Sequence, residues 1–190
     1  REDAHMIKTV LLRSLPLAVY SSENLGHFGL AFDAYTHFTS PIRRYPDLLV
    51  HRAIRHLISG KKPGNFLYSA DEMHSLGVHS SMTERRAEEA SRDVVQRMKC
   101  EYMRDKVGEV FEGTISSVTS FGLFVELDEV FVEGLVHVTA LPVDYYHYDA
   151  IGHRLSGERT GDSYCLAGRV KVQVVRVSVD DKKIDFELVI

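Results

Sequence analysis

The stretch YTHFTSPIRRYPDLLVHR, from Tyr35 to Arg52, gathers residue types that handle phosphate. Arg43 and Arg44 stand between Pro41 and Pro46, Arg52 and Arg55 follow, and Asp47 is the one acid between Ser40 and Gly60. A guanidinium offers planar, paired donors to two phosphate oxygens and stabilises charge growing on a phosphate under attack. Lysine, a hydrated point charge, is a poorer substitute. The bland reading is a solvated helix start with two exposed cations. Helix N-termini favour anions, so a cation pair there is poorly placed by itself. The same dipole makes the spot suited to a bound phosphate. Asp47, beside two arginines, reads as an orienting partner rather than a catalyst.

Those residues need elements to hold them. Met6, Ile7, Val10, Leu11 and Leu15 recur at helical spacing, which predicts a helix over Ala4–Leu15. A second helix is predicted over Asp47–Ile58, with Pro46 suited to its first turn and Gly60 beyond its end. Asp71–Lys106 reads as mostly helical, with a break expected near Gly77 and a capping-box form at Ser81-Met82-Thr83-Glu84. The charges of Glu84–Asp93 read as a solvated face.

At Gly108 the pattern changes to period two. VFEGTISSV, FGLFVEL, VFVEGLVHV, GRVKVQVVRVSV and the run around Ile184, Phe186 and Leu188 predict five strands, with an irregular connection over Asp144–Tyr164. The fold class is therefore α+β: a mostly helical part, residues 1–106, then a five-stranded antiparallel OB-fold barrel, residues 107–190. The outer face of such a barrel binds single-stranded nucleic acid, and exposed aromatics there stack on bases. Phe121, Phe124 and His137 are the candidates. Their spacing places the two phenylalanines on opposite faces of an ideal strand, so one of them is expected in the core. Lys171, on the outward side of the long valine strand, is a further candidate RNA contact.

Bulk composition sets bounds. The chain has 190 residues, 44% of them hydrophobic, which suits a packed core and argues against global disorder. Residues 1–105 carry 15 Lys or Arg against 13 Asp or Glu, and residues 106–190 carry 8 against 14. The barrel is thus acidic on balance, which works against RNA binding. Cys100 and Cys165 stand far apart with no metal-ligand spacing, which fits a reduced, cytoplasmic setting. Arg13 interrupts the early apolar run, and no run suffices for a membrane span, so no membrane partner is expected. The chain opens at Arg1 inside a helical pattern and reads as a fragment of a longer protein.

Two resemblances sharpen this. FEGTISSVTSFGLFVEL, VEGLVHVTAL and VKVQVVRVSVDDKKIDFEL, in that order, resemble the ribosomal protein S-one type RNA-binding domain. The resemblance implies an RNA face of Phe121, Phe124, His137, Asp180 and Lys183. HFGLAFDAYTHFTSPIRRYPDLLVHRAI resembles the end of the catalytic RNB domain of the ribonuclease II family, and SMTERRAEEASRDV with MKCEYM favours one branch of it. It implies a processive 3′-to-5′ exoribonuclease releasing nucleoside 5′-monophosphates, with Arg43 as an active-site arginine. Arg44, at a basic position of the family, becomes a contact for RNA, and Tyr35, His37 and Tyr45 become candidates to line its channel. The family uses magnesium held by aspartates that precede this stretch, so no metal ligand is expected in this chain. The partners implied are single-stranded RNA, ribosome-associated RNA among its sources, and the preceding part of the same protein. With part of its core elsewhere, the helical part is expected to expose an apolar patch. The competing readings are a non-catalytic RNA-binding or ribonucleoprotein adaptor and a helical oligomerisation element. The lack of sustained heptads argues against the last.

Overall fold

The computed structural model describes residues 4–189. The described residues form two compact units, one of residues 4–15 with 92–189 and one of residues 16–91. Helices α1 (Ala4–Ser14), α2 (Tyr45–Ile58) and α3 (Ala70–Met103) come first. Strands β1 (Val110–Thr119), β2 (Gly122–Leu127), β3 (Glu133–His137), β4 (Tyr146–Asp149), β5 (Arg154–Gly157), β6 (Ser163–Cys165), β7 (Arg169–Ser178) and β8 (Lys183–Leu188) follow.

α2 starts where its residues dictate. Arg44 caps it in extended geometry without a side-chain cap bond, and Pro46 sits in the first turn, where a missing N–H costs nothing. α3 corrects two expectations. It runs unbroken through Gly77, because that glycine serves a close approach: a Cβ there would lie 2.9 Å from the Tyr20 carbonyl oxygen. The SMTE motif is not a cap but lies inside the helix. Ser81 is buried; its Oγ accepts from Tyr20 N at 2.8 Å and donates to Gly77 O at 3.0 Å.

β1-β2-β3-β8-β7 close a five-stranded barrel. Four pairings are antiparallel as expected; the exception is β3 with β8, which is parallel through Leu135 and Asp185. The connection expected to be irregular is instead ordered, as a three-stranded sheet β4-β5-β6. Inside the barrel, Leu123, Val125, Leu127, Val136, Val172, Val174 and Phe186 are enclosed, and Cys100 and Met103 from the last turns of α3 join the same cluster. Burying each such large apolar side chain contributes roughly 1.5–3 kcal/mol.

Residues 16–91 are built differently. Leu49 is the one buried hydrophobic residue among those described there, while Leu25, Phe28 and Ile42 stand exposed. The exposed apolar surface expected of the helical part is present.

Candidate nucleic-acid interface

The barrel's outer face is ordered by register. Ser117 pairs with Phe124, Phe124 with Leu135, Leu135 with Asp185 and Asp185 with Arg176, one row across all five strands. None of the five is fully buried, whereas Leu123 and Val125 on either side of Phe124 are. The row exists because of two bulges. β1 slips one residue between Ile115 and Ser117, and β7 slips one between Val174 and Arg176. Strict alternation from Val170, Val172 and Val174 turns Arg176 inward. The bulge turns it outward.

Phe121 and Phe124 share a side, contrary to the spacing argument. Phe121 precedes β2, in the turn, and so escapes the strand's alternation. Gly122 makes the turn: its φ is +155°, and a Cβ there would fall 2.2 Å from the Val136 carbonyl oxygen. The two rings meet edge to face with centroids 6.0 Å apart, and neither is core. Val138 N donates to Phe121 O at 2.8 Å, which ties the turn to the end of β3. His137 pairs in register with Gly122, so it joins this group. Its Nδ1 lies 2.8 Å from Thr139 Oγ1 and accepts from Thr139 N at 3.3 Å, which fixes the ring.

The other barrel candidates sit on β7, β8 and the turn between them. Lys183 opens β8, two residues before Asp185, and is exposed; Asp180 is exposed in the preceding turn. Lys182, between them, is engaged: it pairs with Asp93 of α3. Lys171 pairs in register with Glu112, at the end of β1 away from Phe124, and its Nζ lies 3.9 Å from Glu112 Oε1. The structure therefore brings Phe121, Phe124 and His137 together and leaves Lys171 at a distance. Arg176 and Asp185 belong to the row without having been singled out in the sequence. Arg176 Nε stands 3.8 Å from Asp185 Oδ2, a loose, exposed pair.

In the other unit, the turn before α2 separates its two arginines. Arg43 is exposed, and its guanidinium makes no hydrogen bond or ion pair among the described residues. Arg44 is half-buried, with Nη2 2.8 Å from Oδ1 of Asp47, a residue that is 0% exposed. The same Oδ1 accepts from Ser40 N at 2.8 Å. Burial opposes ionisation of Asp47, but the Ser40 N–H and the Arg44 guanidinium together hold its carboxyl below the ordinary value.

Tyr35 and His37 belong to a chain of rings. His27 meets Tyr35 at 4.8 Å, Tyr35 meets His37 at 5.9 Å and Tyr20 meets His37 at 5.6 Å, all edge to face. Tyr20 Oη lies 3.0 Å from His37 Nδ1. These four line a cavity of about 660 Å³. Tyr45 is held differently: Arg52 Nη1 donates to its hydroxyl at 3.2 Å and to that of Tyr68 at 2.8 Å. The hydrogen bond from Tyr68 lowers the Tyr45 phenol.

Among the described residues no group of three His, Cys, Asp or Glu is placed to hold a metal ion. The magnesium implied by the resemblance is not matched by a donor set here. No helix among them is long and apolar enough to cross a membrane.

Comparison with known proteins places the two parts of the chain. Residues 1–60 match the RNB domain and residues 104–188 the S1 RNA binding domain. The chain is 54% identical to "Ribonuclease R" of Escherichia coli (strain K12), covering 100% of this chain and 24% of that protein. It is 49% identical to "Ribonuclease R 1" of Lactococcus lactis, covering 96% of this chain and 22% of that protein. The solved structure of Mycoplasma genitalium RNase R with ribose methylated single-stranded RNA superposes with a TM-score of 0.88 at 29% identity, over 95% of this chain and 28% of that one. The fold is thus that of an RNB-domain segment with an S1 barrel. The chain belongs to the ribonuclease R family and spans about a quarter of the length of these relatives.

Proposed function

We propose that this chain is part of a processive 3′-to-5′ exoribonuclease that hydrolyses RNA to nucleoside 5′-monophosphates, to which it contributes an active-site arginine and an RNA-holding barrel. The observation that carries the reading is the asymmetry of the arginine pair: Arg44 is held by a buried carboxylate, while Arg43 is exposed with its donors unspent among the described residues. A guanidinium so placed, beside a helix N-terminus, suits a scissile phosphate. We place the magnesium ligands in the remainder of the parent protein and derive no step through them.

On the barrel, Phe121 and Phe124 stack on bases, and His137 and Asp180 flank them. Lys183 meets the phosphate chain, as its exposure and the engagement of Lys182 with Asp93 support. Lys171, beside Glu112, contributes at most field. Tyr35, His37 and Tyr45 line the strand's path near Arg43. That M. genitalium RNase R was captured with single-stranded RNA supports single strands as the ligand class.

The first test uses this polypeptide with 5′-labelled single-stranded RNA and magnesium, beside a binding gel. Binding without cleavage is expected. Shortening from the 3′ end overturns the placement of the metal site outside the chain. In the complete protein, Arg43→Ala should lower turnover far more than binding; an equal loss in both makes Arg43 a general phosphate contact. A complete chain that binds RNA and never cleaves it favours the adaptor reading.

A further inference from the structure

We propose that Arg44 and Asp47 are positioning residues: their ion pair locks the Ser40–Arg44 turn so that Arg43 is presented outward, and Arg44 itself does not touch RNA. The proposal rests on the reading of Arg43 as the phosphate contact and says how that arginine is held.

The turn is tied at both poles of one residue. Ser40 N donates to Asp47 Oδ1 at 2.8 Å, while Ser40 O accepts the backbone N–H groups of Arg43 at 3.2 Å and Arg44 at 3.0 Å. Asp47 belongs to the first turn of α2, so the carboxylate couples the turn to the helix axis. Pro41 and Pro46 fix φ on either side of the pair. The carboxylate is fully enclosed, and a buried charge is tolerated only with partners. Arg44 supplies the partner through Nη2, which ties its guanidinium to the turn.

The pairing is also not the one that maximises hydrogen bonds. A forked arginine–carboxylate pair engages two nitrogens and two oxygens. Here Oδ1 is shared by the Ser40 amide and Arg44 Nη2, whereas Asp47 Oδ2 and Arg44 Nε are buried and make no hydrogen bond among the described residues. Such unsatisfied buried groups call for an explanation. The carboxylate is turned toward the Ser40 amide at the expense of the fork, which is what holding a turn requires.

The test is a double-mutant cycle in the complete protein, with kcat, the RNA Kd and its salt dependence measured for each variant. Arg44→Gln should lower kcat by about tenfold or more and leave Kd within about twofold. The slope of log affinity against log salt should stay unchanged. In an Arg43→Ala background, Arg44→Gln should cost nothing further, because its effect runs through Arg43. Arg44→Lys, which keeps a charge beside Asp47, should recover part of the rate. It carries the cycle if Arg44→Gln no longer melts cooperatively. A salt slope reduced by ~0.7 makes Arg44 a phosphate contact and overturns the proposal. So does a kcat unaffected by Arg44→Gln, or a loss that multiplies with that of Arg43→Ala. If Arg43→Ala alone leaves turnover intact, the reading of Arg43 fails first, and the positioning role fails with it.

Discussion

Phe124 stands between Ser117 and Leu135 in the row that ends at Arg176, with Phe121 against its ring. If it stacks on a base, Phe124→Ala should weaken single-stranded RNA binding by roughly 1–3 kcal/mol, read by fluorescence anisotropy, with melting unchanged because the ring is not core. Unaltered affinity would make the ring idle. Arg176 lies three strands along the same row, and its loose pair with Asp185 leaves it available. Arg176→Ala should lower the slope of log affinity against log salt by ~0.7, the signature of one lost phosphate contact on a single strand. An unchanged slope would remove Arg176 from the path. Residue type singles out the arginine pair, Phe121, Phe124 and His137 in the sequence, but spacing misassigns the two rings to opposite faces, because Phe121 lies in the turn before β2. Arg176 was not legible there. Its orientation depends on an extra residue in β7, and a one-residue slip reverses which face every later side chain takes.

At the level of elements, long periodic segments were legible and short ones were not. α1, α2 and the five barrel strands repeat their apolar period for several residues. β4, β5 and β6 are only 4, 4 and 3 residues long, too few for a period to show. Other forces hold that sheet's connections. Asp144 accepts from Thr160 N at 2.7 Å, Thr160 Oγ1 at 2.8 Å and Arg159 N at 3.1 Å. The Thr160 N–H, above all, holds its carboxyl far below the ordinary aspartate value. A depressed folded value means the stabilisation is complete above the unfolded value and is lost as pH falls through the folded one. Amide protection across residues 143–160, taken relative to intrinsic exchange at each pH, should therefore be held at pH 6 and lost only in strong acid. Asp144→Asn should lower it at both. Equal protection in the variant would show that the carboxylate does not hold this segment. Gly77 misled because glycine weakens isolated helices. Its actual constraint, the carbonyl of Tyr20, is remote in sequence.

For the molecule as a whole, the two units differ in how their order is sustained. The barrel unit encloses a contiguous apolar cluster, while residues 16–91 enclose Leu49 and expose Leu25, Phe28 and Ile42. Local stability follows buried contact, so hydrogen exchange of this polypeptide should show protected amides in β2, β3 and β7 and fast exchange over residues 25–42. In a longer chain with the rest of an RNB domain, residues 25–42 should become protected; the same fast exchange in both would mean that nothing covers this surface. The place of β8 between β3 and β7, parallel to the first and antiparallel to the second, has a consequence for synthesis. A chain emerges from the ribosome at about 5–20 residues per second. Until residues 183–188 are out, β3 and β7 each present a bare edge, open to pairing with another nascent chain. The barrel is a fold whose first strands must wait for its last, and the ribosome sets the length of the wait.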